Sequence, residues 1–196
     1  MAAPSAEEVR RYLCYELKWM LRAVVRFEEL TSEHRPSTAR GGSSPDPDLV
    51  AWQDSALLHA RNLVEFAGAS SDPTESEAEW ALSGILGTHT RKVPGNLSRF
   101  LNNWVVYIGG GSASDSKWPK GLDGNAIAPD DDERLSKVVE VVFKTLKPKH
   151  RTTTLQTEEG AAYVELLERA RDYFEQRTSE AFERLTCDGL PMRRQT

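Results

Sequence analysis

The feature that most constrains this chain is the recurrence of apolar residues three and four apart between strong start and stop signals. Ser5 and Glu8 form a capping box, and Leu13, Leu17, Met20, Leu21 and Val24 then predict a first helix to about Leu30 with one buried face. Asp46-Pro47 is a cap followed by a first-turn proline; it opens a second helix through Trp52, Ala56, Leu57, Leu63, Val64 and Phe66, ended at Gly68. Thr74 with Glu77 repeats the box before Trp80, Ile85 and Leu86, and after Pro94-Gly95-Asn96 another helix carries Leu97, Phe100, Leu101, Trp104 and Val105. Asp130 to Glu133 put negative charge ahead of a helix with Leu135, Val138, Val139, Val142 and Leu146, which Pro148 ends. The Val-Val-Glu-Val-Val-Phe run within it also suits a strand, but helical spacing fits it better than alternation. A final long helix from about Thr157 buries Tyr163, Leu167, Ala170, Phe174, Ala181 and Leu185. The expected fold is an all-α helical bundle, two long terminal helices around shorter central ones, in a single helical domain over residues 1–196.

Two stretches interrupt this pattern, near 35–46 and 109–130, both rich in Gly, Ser, Asp and Pro and expected to be flexible. With 25 Lys+Arg against 30 Asp+Glu the net charge is -5, which excludes an overall basic field but not a local basic patch. Cys14 and Cys187 lack zinc or C-x-x-C spacing and read as thiols in a reducing cytosol. Neither a signal core nor an apolar run of membrane-spanning length is present, so a cytoplasmic location without membrane contact is expected.

The most informative polar residues interrupt the second helix, in the block His59-Ala60-Arg61-Asn62-Leu63-Val64-Glu65-Phe66. His59 shares a face with Trp52, Ala56, Leu63 and Phe66, where a histidine is usually a hydrogen-bonded core or boundary residue. Arg61 and Glu65 form an i,i+4 pair, plainly a surface ion pair; the sharper reading turns Arg61 inward between Leu57, Leu58 and Val64, where its guanidinium needs a carboxylate, a carbonyl or a ligand phosphate. Trp118, in the polar stretch before Pro119, is a docking-anchor candidate. Gly109-Gly110-Gly111-Ser112 lacks the order of a phosphate loop, and no histidine or carboxylate group has metal-ligand spacing, so no metal or cofactor is expected.

The block His59 to Leu63 resembles the His-Ala-Arg-Asn-Leu signature of bacterial helical proteins associated with the HEPN superfamily. A second block of that pattern has its counterpart at Asn103 to Ile108, with Asn103 matched and Tyr107 standing where a histidine is expected. HEPN ribonucleases use an Arg-x4-6-His motif for metal-independent RNA cleavage. Here Phe66 follows Arg61 at that spacing, so the motif is degenerate. The resemblance implies a non-catalytic binding protein, with a protein partner, a second copy of itself, a nucleotide or RNA as ligand, in toxin-antitoxin, phage-defence or stress-response settings. Two alternatives stand beside it: a ribonuclease with an altered site of Arg61, Asn62 and Tyr107 assisted by His59, and a purely structural role in which Arg61, Asn62 and Glu65 fasten helices.

Overall fold

The computed structural model describes residues 6–33, 46–67, 95–107, 118–128 and 131–185, apart from the side chains at 6, 7, 103–107 and 159. Seven helices are found among them: α1 (Ala6–Glu33), α2 (Pro47–Phe66), α3 (Gly95–Tyr107), α4 (Arg134–Leu146), α5 (Arg151–Thr154), α6 (Glu158–Gln176) and α7 (Ser179–Arg184). No strand occurs among the described residues, only an isolated bridge between Lys120 and Ala126, so the all-α bundle holds. The capping box at Ser5 and the helix expected after Thr74 lie outside the described residues.

Val9, Leu13, Leu17, Met20, Val24 and Phe27 recur every three or four residues along α1 and are all buried. That stripe packs lengthwise on α2 and also meets α6 and α4. A fully buried leucine such as Leu17 contributes about 1.5–3 kcal/mol through the apolar area it removes from water. The start of α2 follows the expected signal: Pro47 occupies its first turn, and the Asp46 carboxylate accepts from the Asp48 N–H at 2.9 Å, satisfying one of the donors a helix start leaves open.

Helix α4 buries Leu135, Val138, Val139, Val142 and Leu146 at helical spacing, which settles the strand alternative. Val141 and Phe143 are buried as well, so α4 is enclosed on more than one side, and the Thr145 hydroxyl is satisfied by donating to the Val141 carbonyl at 2.9 Å. Tyr163 of α6 donates its phenol proton to the Leu146 carbonyl, fastening α6 to the last turn of α4. Gly160 lets the first turn of α6 approach α5, because a Cβ there would lie 1.9 Å from the Thr154 carbonyl oxygen.

Three expectations need correction. The single long final helix is two helices: Arg177 takes left-handed backbone (φ 55), and the Thr178 hydroxyl accepts from the Ala181 N–H at 3.2 Å to start α7. Residues 118–128, expected within a flexible stretch, form a closed turn in which Gly121 donates to the Asn125 carbonyl at 2.8 Å and Ile127 to that of Pro119 at 3.0 Å. Gly124 supplies a positive φ of 83, and buried Pro119 and Ile127 hold the turn against the bundle. Cys14, expected as a thiol, is disulfide-bonded; Cys187, the only other cysteine of the chain, lies outside the described residues. The spacing of two isolated cysteines carries no information on their proximity, so the cysteine argument for a reducing compartment falls. No helix among the described residues is long and apolar enough to cross a membrane.

Candidate functional site

The polar residues of α2 converge on one carboxylate of α1. Glu16 lies three residues after Leu13 and four before Met20, within the buried stripe, and is only 3% exposed. Its Oε2 lies 2.7 Å from Nδ1 of His59 and accepts from Nδ2 of Asn62 at 3.0 Å. His59 and Asn62 are three apart on α2 and therefore present both groups to the same side of α1. Tyr12, one turn before Glu16, is the third partner, hydrogen-bonded to the same carboxylate. The Tyr12 phenol is held well above its usual range, first by burial and then by the negative charge and hydrogen bond of Glu16.

Ring contacts seal this cluster. Tyr12 stacks on Phe66 with centroids 5.0 Å apart, and Tyr15 meets the His59 ring edge-on at 5.8 Å. A carboxylate at 2.7 Å makes Nδ1 the protonated nitrogen of His59, so the imidazole is fixed in orientation and tautomer. The arrangement is a buried clamp: one carboxylate held by donors from two helices, His59 and Asn62 of α2 and Tyr12 of α1.

Arg61 does something else. Its Nε donates to Oε1 of Glu65 at 2.7 Å and to Oδ1 of Asn102 on α3 at 3.0 Å. With side-chain exposures of 30% for Arg61 and 52% for Glu65 this is a surface pair that reaches across to α3. The inward reading of Arg61 is therefore corrected: Leu57 and Val64 are buried, but Arg61 shares its side of α2 with exposed Leu58 and Glu65, and the inward member of the pair is Asn62.

The remaining candidates separate from the block. Asn103 and Tyr107 lie in α3, with side chains outside the described residues. Trp118 is half-buried, 4.8 Å from the Phe100 ring centroid and 5.7 Å from the Arg134 guanidinium. Arg134 also covers the Phe27 ring and donates to Oε1 of Gln53, so Trp118 is a packing element between the turn and the bundle, not a free anchor. Sequence reasoning missed Glu16, Tyr12 and Asn102. Glu16 carried a usable signal, an acid at an apolar register position of an amphipathic helix; Asn102 carried none.

A second polar region lies at the opposite chemical extreme. From Val141 to Thr157 the sequence contains no Asp or Glu, while Lys144, Lys147, Lys149, His150 and Arg151 follow within eight positions and are all exposed. Comparison of the chain with protein-family models, with curated proteins and with solved structures returned no match.

Proposed function

We propose that this chain is an HEPN-like helical protein that binds single-stranded RNA without cleaving it. The observation that carries the reading is the exposed cationic turn from Lys144 to Arg151, an acid-free stretch on a chain of net charge -5. Phosphate backbones are held chiefly by such lysines and arginines, through counterion release. Lys144, Lys147 and Lys149 have no carboxylate partner among the described residues, so their charge is available to a polyanion. Absence of turnover is supported by the degenerate Arg-x4-6-His motif, in which Phe66 stands at the histidine position, and by Arg61, which is engaged by Glu65 and Asn102. The setting proposed with it, from the resemblance of the His59 block alone, is toxin-antitoxin, phage defence or stress response.

Incubation of the purified protein with labelled single-stranded RNA in the presence of a chelator tests both halves. Retarded, intact RNA is expected, with retardation lost in Lys144→Glu/Lys149→Glu. Cleavage that disappears in His59→Ala would overturn the non-catalytic half, and unretarded RNA at low salt would overturn the binding half. A second reading, docking of a protein partner, is favoured by Tyr15 and Trp19, neighbouring rings on one face of α1 that stand 43% and 40% exposed.

A further inference from the structure

A cleft of about 130 Å³ opens beside the cationic turn, between the end of α4, α5 and α6. Phe143, Pro148, Val164 and Leu167 line it with apolar surface, and Lys147, Arg151, Arg171 and the carboxylate Glu168 complete its lining, three cations against one acid. The Arg171 guanidinium is 5.9 Å from the centroid of the Phe143 ring, so a cation and an aromatic group border the same space. Arg171 also donates to Glu175 at 2.9 Å and lies 3.4 Å from Glu140, and Arg151 pairs with Glu168. These are exposed pairs, which a phosphate can exchange for its own, and Lys147 has no such partner among the described residues.

The volume is below the roughly 300 Å³ at which pockets for drug-sized ligands begin, so the cleft takes one ring-sized group and not an acyl chain or a folded peptide. Apolar walls favour a planar uncharged ring, and arginine guanidinium planes are established stacking partners for nucleobases. We infer that this cleft is a mononucleotide site: the base enters between Arg171 and Leu167, and its phosphate is held by Lys147 and Arg151. The inference rests on the RNA-binding reading and deepens it, since an RNA terminus would seat its last nucleotide here while the strand follows the lysines.

Calorimetric titration of the full chain with AMP, ribose 5-phosphate and inorganic phosphate tests it. AMP is expected to bind saturably and at least about tenfold more tightly than either smaller anion, because only AMP fills the apolar part of the cleft. Lys147→Glu is expected to weaken AMP by about tenfold or more through loss of a charge-assisted contact. Leu167→Trp, which fills the cleft without altering charge, is expected to abolish AMP binding while RNA is still retarded; melting by circular dichroism shows whether each variant is folded. Equal affinity for the three anions, or AMP affinity unchanged in Lys147→Glu, would overturn the site. RNA retention without AMP binding overturns the cleft and leaves the RNA reading standing; AMP binding without RNA retention does the reverse.

Discussion

Replacing Glu16 by alanine removes the acceptor shared by His59, Asn62 and Tyr12 in a place where water does not readily substitute. Each buried donor left unsatisfied costs about 1–3 kcal/mol, and removing one member of a buried charged cluster typically costs about 3–5 kcal/mol. His59 is 13% exposed in its side chain, so a water can reach part of the vacated space and the upper sum of three orphaned donors is not reached. The expected loss for Glu16→Ala is therefore about 3–5 kcal/mol, which for a chain of this length lowers Tm by roughly 6–20 °C. Glu16→Gln keeps the volume and one carbonyl oxygen able to accept from His59 and Asn62; it loses only the added strength of a charged acceptor, about 1–2 kcal/mol. Urea unfolding of the three proteins at neutral pH, followed by circular dichroism, reads both values. A Glu16→Ala protein within about 1 kcal/mol of the parent, or one no less stable than Glu16→Gln, would refute the view that this carboxylate holds α1 to α2.

Further outcomes follow from other contacts. Gly160→Ala, a change that stabilises an ordinary helix by about 1 kcal/mol, is expected to destabilise this one by roughly 1–3 kcal/mol in urea unfolding, because its Cβ would lie 1.9 Å from the Thr154 carbonyl oxygen. Arg61→Ala is expected to shift Tm by no more than about 2 °C, as befits an exposed pair; a loss comparable to that of Glu16→Ala would restore the inward reading of this arginine. Burial raises the phenols of Tyr163 and Tyr173, and burial with the Glu16 charge raises that of Tyr12. The unfolded chain therefore loses these protons first, so their contribution is complete below about pH 10 and declines above it; melting at about pH 9 and pH 11 should show the fall, and equal Tm values would contradict it. Because Cys14 is disulfide-bonded, it should resist alkylation in denatured, non-reduced protein and become labelled after reduction, as peptide mapping by mass spectrometry reads; labelling of Cys14 before reduction would contradict the bond.

Helix type and position were legible wherever local physics decides them. The proline after Asp46, the hydroxyl of Thr157 and the apolar period of 135–146 each act within a few residues of themselves, and each marks a helix boundary or buried face found in the structure. The break at Arg177 was partly legible: Thr178 is a cap residue, but the apolar phase continues through Ala181 and Leu185, so periodicity ran across the interruption. The closed turn at 118–128 was hidden because a stretch rich in Gly, Asp and Pro suits a tight turn as well as a mobile one; burial of Pro119 and Ile127 distinguishes them. The site divided the same way. Asn62 and His59 could be placed on one face of α2 from spacing, whereas their partner lies 43 and 46 residues away along the chain, a pairing that helical period alone cannot assign.

The clamp also bears on why an acid stands in an otherwise apolar stripe. Burying Glu16 carries a desolvation cost, and well-packed apolar residues in its place are often as stable or more so, so stability alone does not account for it. Register does. Leucines and alanines on α1 and α2 interdigitate in more than one alignment, since a slide by one turn brings similar side chains into similar gaps. The same slide moves His59 and Asn62 by about 5.4 Å relative to Glu16, so both lose their acceptor and the buried carboxylate keeps only Tyr12 of its own helix. One alignment of α1 on α2 is therefore selected over its neighbours by the cost of the alternatives. Because α2 also packs on α3 and α4, fixing that alignment fixes the position from which α4 delivers Lys144, Lys147 and Phe143 to the cationic turn and its cleft.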